Sequence, residues 1–251
     1  MANKYIVTGQ GRLWVAPRDT SGVSGAMVEL GDVDNFQVAF TQAFTEVYES
    51  QTGLRTNVVH AVHQTDGTVT VDALSIDPAN LARAFYATAA VNAGGTVTGE
   101  AHTAYNGGAL WINPGSTNVV VHNTASTPAL LVSGTDYTYE QTNGRITILP
   151  GSTLVVAGAG VPVTVNYTDP GYAGKVEGLV NTLKDYKLVF EQINFDGSIS
   201  RYELHRVALD LAKTFSMIMT GQNKLSMTGK LLPAAEITTA GLSKFFTVIQ
   251  K

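Results

Sequence analysis

Tyr186-Lys187-Leu188-Val189-Phe190-Glu191 is the stretch on which the fold class turns. Side chains along a strand alternate between two faces, so Tyr186, Leu188 and Phe190 share one face and Lys187, Val189 and Glu191 the other. Just downstream, Asp196-Gly197 is a turn pair, because glycine after aspartate supplies the positive φ that tight hairpins need. Beyond it Ser200-Arg201-Tyr202-Glu203-Leu204-His205 reads as a return strand. Further on, Leu225, Met227, Gly229 and Leu231 alternate with Lys224, Ser226, Thr228 and Lys230. Upstream, Thr68-Val69-Thr70-Val71-Asp72 repeats the period after Asp66-Gly67, read as another hairpin turn. These are antiparallel strands, each with one face buried, and the chain is mainly β.

One segment has a helical period instead. Asp77-Pro78 supplies an N-cap and a proline at the first helical position. Leu81, Ala84, Phe85 and Thr88 then make an apolar stripe through about Ala90, and Asn92-Ala93-Gly94-Gly95 ends it. A second, weaker helical pattern runs from Thr239 to Ile249. The expected architecture is an antiparallel β-sandwich or partial barrel with one flanking α-helix.

Two stretches depart from this plan. From about Thr96 to Gly174 the sequence is rich in Gly, Thr, Val and Asn, and its only charges are Glu100, Asp136, Glu140, Arg145 and Asp169. Within it Thr142-Asn143-Gly144 separates Asp136-Tyr137-Thr138-Tyr139 from Arg145-Ile146-Thr147-Ile148, a hairpin pattern. Pro114-Gly115-Ser116-Thr117 and Pro150-Gly151-Ser152-Thr153 read as two surface turns. The segment fits either a small β module or an elaboration of the main sheet. From Ala43 to Val62 the chain is strand-like on both sides of Thr52-Gly53, the pattern of a long projecting hairpin or loop. An isolated hairpin is marginal in water, so such an arm is expected to dock on a partner.

Composition narrows the function classes. The 251 residues suffice for a proper core, and hydrophobic residues make up 44%. Charged residues are only 14%, against roughly 25% in an average soluble domain, which points to surface covered by other copies. With no cysteine there are no disulfides and no thiolate metal site, a composition that suits a reducing cytoplasm. The start Met1-Ala2-Asn3-Lys4-Tyr5 carries no signal-peptide core, and no run approaches the length of a membrane span. The net charge of −4 does not suit a protein that grips nucleic acid.

Motifs for chemistry are weak. Gly9-Gln10-Gly11 lacks the third glycine of a dinucleotide fingerprint and any surrounding βαβ unit, and reads as a turn into a strand. His60 and His63 fall on opposite faces of a strand, and no acidic pair completes a metal site. The pairs Asp32 and Asp34, and Glu46 and Glu49, read as solvated or intersubunit charges, without the other parts of a catalytic site. Trp14, Trp111, Phe85 and Phe190 sit in periodic apolar contexts and are assigned to the core. No catalytic residue, cofactor site or metal ligand is assigned, and the protein is not expected to be an enzyme.

Several strings resemble siphophage major tail proteins. These are Thr8-Gly9-Gln10-Gly11-Arg12-Leu13-Trp14-Val15-Ala16-Pro17-Arg18-Asp19, then Glu29-Leu30-Gly31-Asp32-Val33, and Tyr48-Glu49-Ser50 leading to Gly53-Leu54-Arg55. Asp77-Pro78-Ala79-Asn80-Leu81-Ala82-Arg83-Ala84-Phe85-Tyr86 is similar to that family's helix. Ser133-Gly134-Thr135-Asp136-Tyr137-Thr138 with Gly144-Arg145-Ile146-Thr147-Ile148, and Tyr186 to Glu191 before Ile193-Asn194-Phe195-Asp196-Gly197, extend the resemblance over nearly the whole chain. Two places depart from it: Leu209-Asp210-Leu211-Ala212-Lys213 stands where a proline-containing turn is expected, and 233–251 has no counterpart.

The resemblance implies a single elaborated tail tube domain over 1–251, with 96–174 as an inserted β-rich segment and no appended immunoglobulin-like module. It implies hexameric rings whose sheets join around a lumen and stack into a tube, with no cofactor. The implied partners are other copies of the chain, a tape measure protein, and tail terminator and distal tail proteins, with DNA passing through the lumen unbound. The implied location is the virion tail, assembled in the cytoplasm of a host bacterium. Glu46, Tyr48, Glu49, Leu54 and Arg55 are then the arm residues that engage the next ring, and Asp72, Glu191 and Glu203 are candidates to line an acidic or neutral lumen. The alternative is another β-rich virion component such as a capsid decoration protein, with a soluble adhesin module and an enzyme ranking below it.

Overall fold

A computed structural model describes residues 9–51, 53, 56–124, 128–156, 158–194, 197–218 and 220–251. In chain order the elements begin with strands β1 (Gln10–Pro17), β2 (Val28–Glu29), β3 (Val33–Tyr48) and β4 (Asn57–Ala73), then helix α1 (Pro78–Ala84). Strands β5 (Thr88–Asn92), β6 (Gly95–Ala104), β7 (Ala109–Trp111), β8 (Thr117–Asn123), β9 (Tyr137–Glu140), β10 (Arg145–Ile148), β11 (Val161–Asp169) and β12 (Tyr172–Glu177) follow. The chain closes with β13 (Asp185–Ile193), β14 (Ile199–Leu209), β15 (Leu225–Leu231) and β16 (Phe246–Gln250). It divides into two compact units, one of Met1–Ala89 with Val176–Lys251 and one of Ala90–Lys175. Strands β5 and β12, where the chain leaves and re-enters the first unit, pair with each other.

The first unit is one antiparallel sheet in the order β2-β1-β13-β14-β15-β4-β3, with β16 added on β14. Strand β14 serves two partners on one edge: Ser200–Leu204 pair with β16, and Val207–Leu209 with β15. The alternation read from sequence becomes an apolar face of Leu13, Val15, Leu188, Leu204, Val207, Leu225, Met227, Val69 and Val71, all buried. The sheet curls over this face, since Phe36 of β3 reaches Phe190 of β13 with ring centroids 5.5 Å apart. Among the described residues the end strands β2 and β3 do not pair, so the curl does not close into a barrel.

Helix α1 packs Leu81, Ala84 and Phe85 against the same core. Asp77 caps it by accepting from the Asn80 backbone N–H at 2.7 Å. The helix ends at Ala84, short of the expected Ala90, and Thr88 lies exposed in β5. Its end is held by tertiary hydrogen bonds: Leu179 donates to the Phe85 carbonyl at 3.0 Å and Asn181 to that of Tyr86 at 2.8 Å. The helix expected over 239–249 is absent as well. Its C-terminal half is β16, because Phe246 and Val248 at a spacing of two continue the apolar face beside Leu204 and Tyr202. Asp66-Gly67 is likewise no turn but lies inside β4. There Gly67 sits opposite Leu231, and a Cβ on it would stand 2.9 Å from that of Leu231.

The second unit contains two three-stranded sheets, β7-β10-β9 and β6-β11-β8. Leu110, Ile146, Ile148 and Tyr137 of one sheet and Val121, Val163, Val165 and Tyr167 of the other form its separate core. Strands β9 and β10 make the hairpin read around Asn143-Gly144, with Glu140 opposite Arg145.

Candidate assembly surfaces

Strands β3 and β4 run on past the core as a two-stranded arm. Pairing continues from Val33 opposite Ala73 out to Tyr48 opposite Asn57, with a bulge that places His63 outside the ladder between Ala43 and Phe44. Beyond Phe40 both strands are exposed on both faces, yet they carry Phe44, Val47, Tyr48, Val58, Val59 and Val62. Three of the expected arm residues, Glu46, Tyr48 and Glu49, lie at its outer end, while Leu54 and Arg55 lie outside the described residues. The Tyr48 hydroxyl donates to Glu46 Oε2 at 2.6 Å, and His60 Nδ1 lies 3.1 Å from Glu46 Oε1. These two partners hold the Glu46 carboxyl below the usual carboxylate range, and Glu46 in turn raises the Tyr48 hydroxyl. The His60 ring stacks on Phe44 at 4.4 Å. His63 is on the other face, its Nδ1 3.1 Å from Thr45 Oγ1.

The three lumen candidates share one face of the first unit's sheet, opposite the core. Glu191 accepts from the Trp14 indole at 3.0 Å. Glu203 lies 3.1 Å from Lys187 Nζ and 2.9 Å from Arg201 Nε. Burial pushes the Glu203 carboxyl up, but Lys187 and Arg201 outweigh it and leave it below the usual range. Asp72 accepts from the Ser226 hydroxyl at 2.6 Å and from Asn35 at 3.3 Å. Arg12 faces Glu29 at 3.8 Å on the same side. The face interleaves cations with its carboxylates, a feature that the overall acidic balance does not convey.

On the core side, the open end of the curl leaves a cleft of about 610 Å³. Phe36, Phe40, Phe190, Tyr202, Phe246 and Val248 line it, with Gln10, Gln192 and Asp34 at the polar positions. Phe40 and Phe246 meet across it at 5.6 Å. Asp34 is not part of a carboxylate pair with Asp32; it is ion-paired with Lys224.

In the second unit, Trp111 corrects its assignment to the core, since it is 61% exposed. Its neighbour Leu110 takes the inward position, because β7 alternates and only one parity faces the second sheet. Sequence reasoning also missed two buried carboxylates. Asp169 accepts from Asn92 and Asn113 at 2.7 Å each and from the Gly171 N–H at 2.8 Å. Asp136 accepts from the Ser152 hydroxyl at 2.7 Å and the Val132 N–H at 2.8 Å. Ser152 and Ser116, read as parts of surface turns, are themselves buried. Each carboxylate ties together segments distant in sequence through these donors.

Among the described residues no group of three or more His, Cys, Asp or Glu converges as a metal-binding set. No helix among them is long and apolar enough to cross a membrane, which says nothing of membrane β-barrels. No curated protein matches the chain. A protein-family model matches it over residues 6–249, nearly end to end, and the chain therefore belongs to the family described as "Protein of unknown function UCP028589".

Proposed function

We propose that the chain is a structural virion protein that assembles with copies of itself into stacked hexameric rings, forming the tail tube through which phage DNA is delivered. The observation that carries this reading is the arm. Two strands of 16 and 17 residues run on past the core of the first unit, and among the described residues their outer parts expose a series of aromatic and branched side chains. A two-stranded ribbon of that kind gains little stability alone and is stabilised by docking. Among the described residues β3 and β16 each pair with one strand only, and a sheet edge of this kind can add a strand from another chain. The low charge content supports the same reading, since the cores of obligate interfaces are depleted of charged residues.

On this reading the polar face carrying Glu191, Glu203 and Asp72 lines the channel. Lys187 and Arg201 on this face are both paired with Glu203, and Arg12 with Glu29, so these cations are held by carboxylates rather than offered to a passing duplex as counterion substitutes. The tape measure, tail terminator and distal tail proteins belong to the same proposal, as do the virion location and cytoplasmic assembly.

The test is to purify the chain and a variant in which residues 43–62 are replaced by a tight turn. Sedimentation and negative-stain microscopy should show rings or tubes for the full chain. The variant should keep β-type circular dichroism and lose ring stacking. A folded full chain that stays monomeric at high concentration, or a shortened chain that still builds tubes, refutes the reading.

A further inference from the structure

The arm has two faces, and they are not equivalent. One carries Phe44, Glu46 and Tyr48 from β3 with His60 and Val62 opposite them on β4. The other carries Thr45 and Val47 with Val59 and Ala61. The first face continues the parity of Phe36, Val38 and Phe40, so an aromatic stripe leaves the core and runs outward along β3. We propose that the arm docks on a second copy of the chain through this aromatic face, which rests on the assembly reading above.

Three observations carry it. The first is area. Phe40, Phe44 and Tyr48 are 51%, 42% and 46% exposed. An aromatic side chain buries about 150–250 Å² when fully covered, so these three hold about 300 Å² still to be buried. With a matching surface on the acceptor this is about 600 Å² of the roughly 1,600 Å² in a standard interface, enough for its apolar centre. The second is order. Phe44 is stacked on His60 at 4.4 Å and Tyr48 is tied to Glu46 at 2.6 Å, so the face is set before any partner arrives. Pre-set side chains lose less freedom on binding. The third is charge. Glu46 would be costly to cover as a bare carboxylate, but the arm supplies it with both Tyr48 and His60. The opposite face carries the smaller Thr45, Val47, Val59 and Ala61, with His63 turned to Thr45 and no aromatic ring pair among the described residues.

The experiment compares two double variants of the full chain, Phe44→Ser with Val62→Thr on the aromatic face and Val47→Thr with Val59→Thr on the other. All four positions are at least two-fifths exposed, so both variants should fold, checked by circular dichroism. Light scattering against concentration reads the midpoint of self-association. The aromatic-face variant should raise it at least ten-fold and the opposite-face variant less than three-fold. Equal shifts, or a larger shift from the opposite face, overturn the inference. Wild-type assembly by the aromatic-face variant, when the arm-shortened chain does not assemble, refutes this choice of face alone. Assembly by the arm-shortened chain removes the assembly reading together with it.

Discussion

The joint between β14 and β15 is only three residue pairs long, yet it attaches the arm-bearing half of the sheet to the β1–β13 half. At its end Gly229 faces Leu209. An alanine methyl at 229 would overlap the Ala208 carbonyl oxygen and stand 3.1 Å from the Ala208 carbonyl carbon and the Leu209 Cα. All three are backbone atoms, so the strain cannot relax through a side-chain rotamer. Overpacking of this kind costs about 1–3 kcal/mol. Losing a ladder hydrogen bond as the strands part adds about 1 kcal/mol. Gly229→Ala should therefore destabilise the first unit by about 2–4 kcal/mol. With an m value near 2 kcal/mol/M the urea midpoint falls by about 1–2 M. The chain has two tryptophans, Trp14 in the first unit and Trp111 in the second, so a Trp111→Phe background lets Trp14 fluorescence report the first unit alone. Gly178→Ala, where nothing lies within 4 Å of the added methyl, is the control. A Gly229→Ala loss below about 0.5 kcal/mol, the scale of an ordinary surface substitution, refutes the reasoning.

Other substitutions test the remaining contacts. Asp169→Ala leaves the Asn92, Asn113 and Gly171 donors unpaired and should cost the second unit about 3 kcal/mol, read from Trp111 fluorescence. Glu140→Ala, which removes the exposed pair with Arg145 and an exposed hydrogen bond from Asn143, should change it by less than about 1 kcal/mol. Arg18, with a side chain 3% exposed, donates to the His205 and Gly22 carbonyls and to Glu236. Arg18→Met should lower the melting temperature, and Glu236→Gln should have little further effect in that background, because the two charges act as one unit. Because the Glu46 carboxyl is held below its usual range, its contribution to arm order is complete above the ordinary glutamate value of about 4.3. That contribution is lost as pH falls through the depressed value. Ring signals of Tyr48 and His60 followed by NMR should report this, and a Glu46 titration at or above the ordinary value would count against the contact.

Sequence alone determined the faces of the strands. The alternation at Tyr186 to Glu191, at Thr68 to Asp72 and at Leu225 to Leu231 carries over to buried and open positions because strand parity is a two-residue property. The Asp77-Pro78 start of α1 and the turn at Asn143-Gly144 were legible because caps and tight turns are likewise set by a few adjacent residues. Tertiary structure decided which strands pair and where elements stop. The pattern of Phe245, Phe246 and Ile249 suits a helix and a strand equally, and β14 resolved it by offering an edge some 45 residues upstream. Gly67 passed for a turn because its reason for being glycine, the approach of Leu231, lies on another strand. Whether Trp111 or Leu110 faces inward depended on which side the second sheet packs. The arm could be read from its length, but not the pairing of Glu46 with His60, because a bulge at His63 sets that register. Lys187 beside Glu203 was equally hidden, since it comes from the adjacent strand β13, whereas Arg201 lies two residues away on the strand of Glu203 itself. Period is written in neighbouring residues, whereas register and partner choice are settled by burial across the whole sheet, and it is these that bring charged groups face to face.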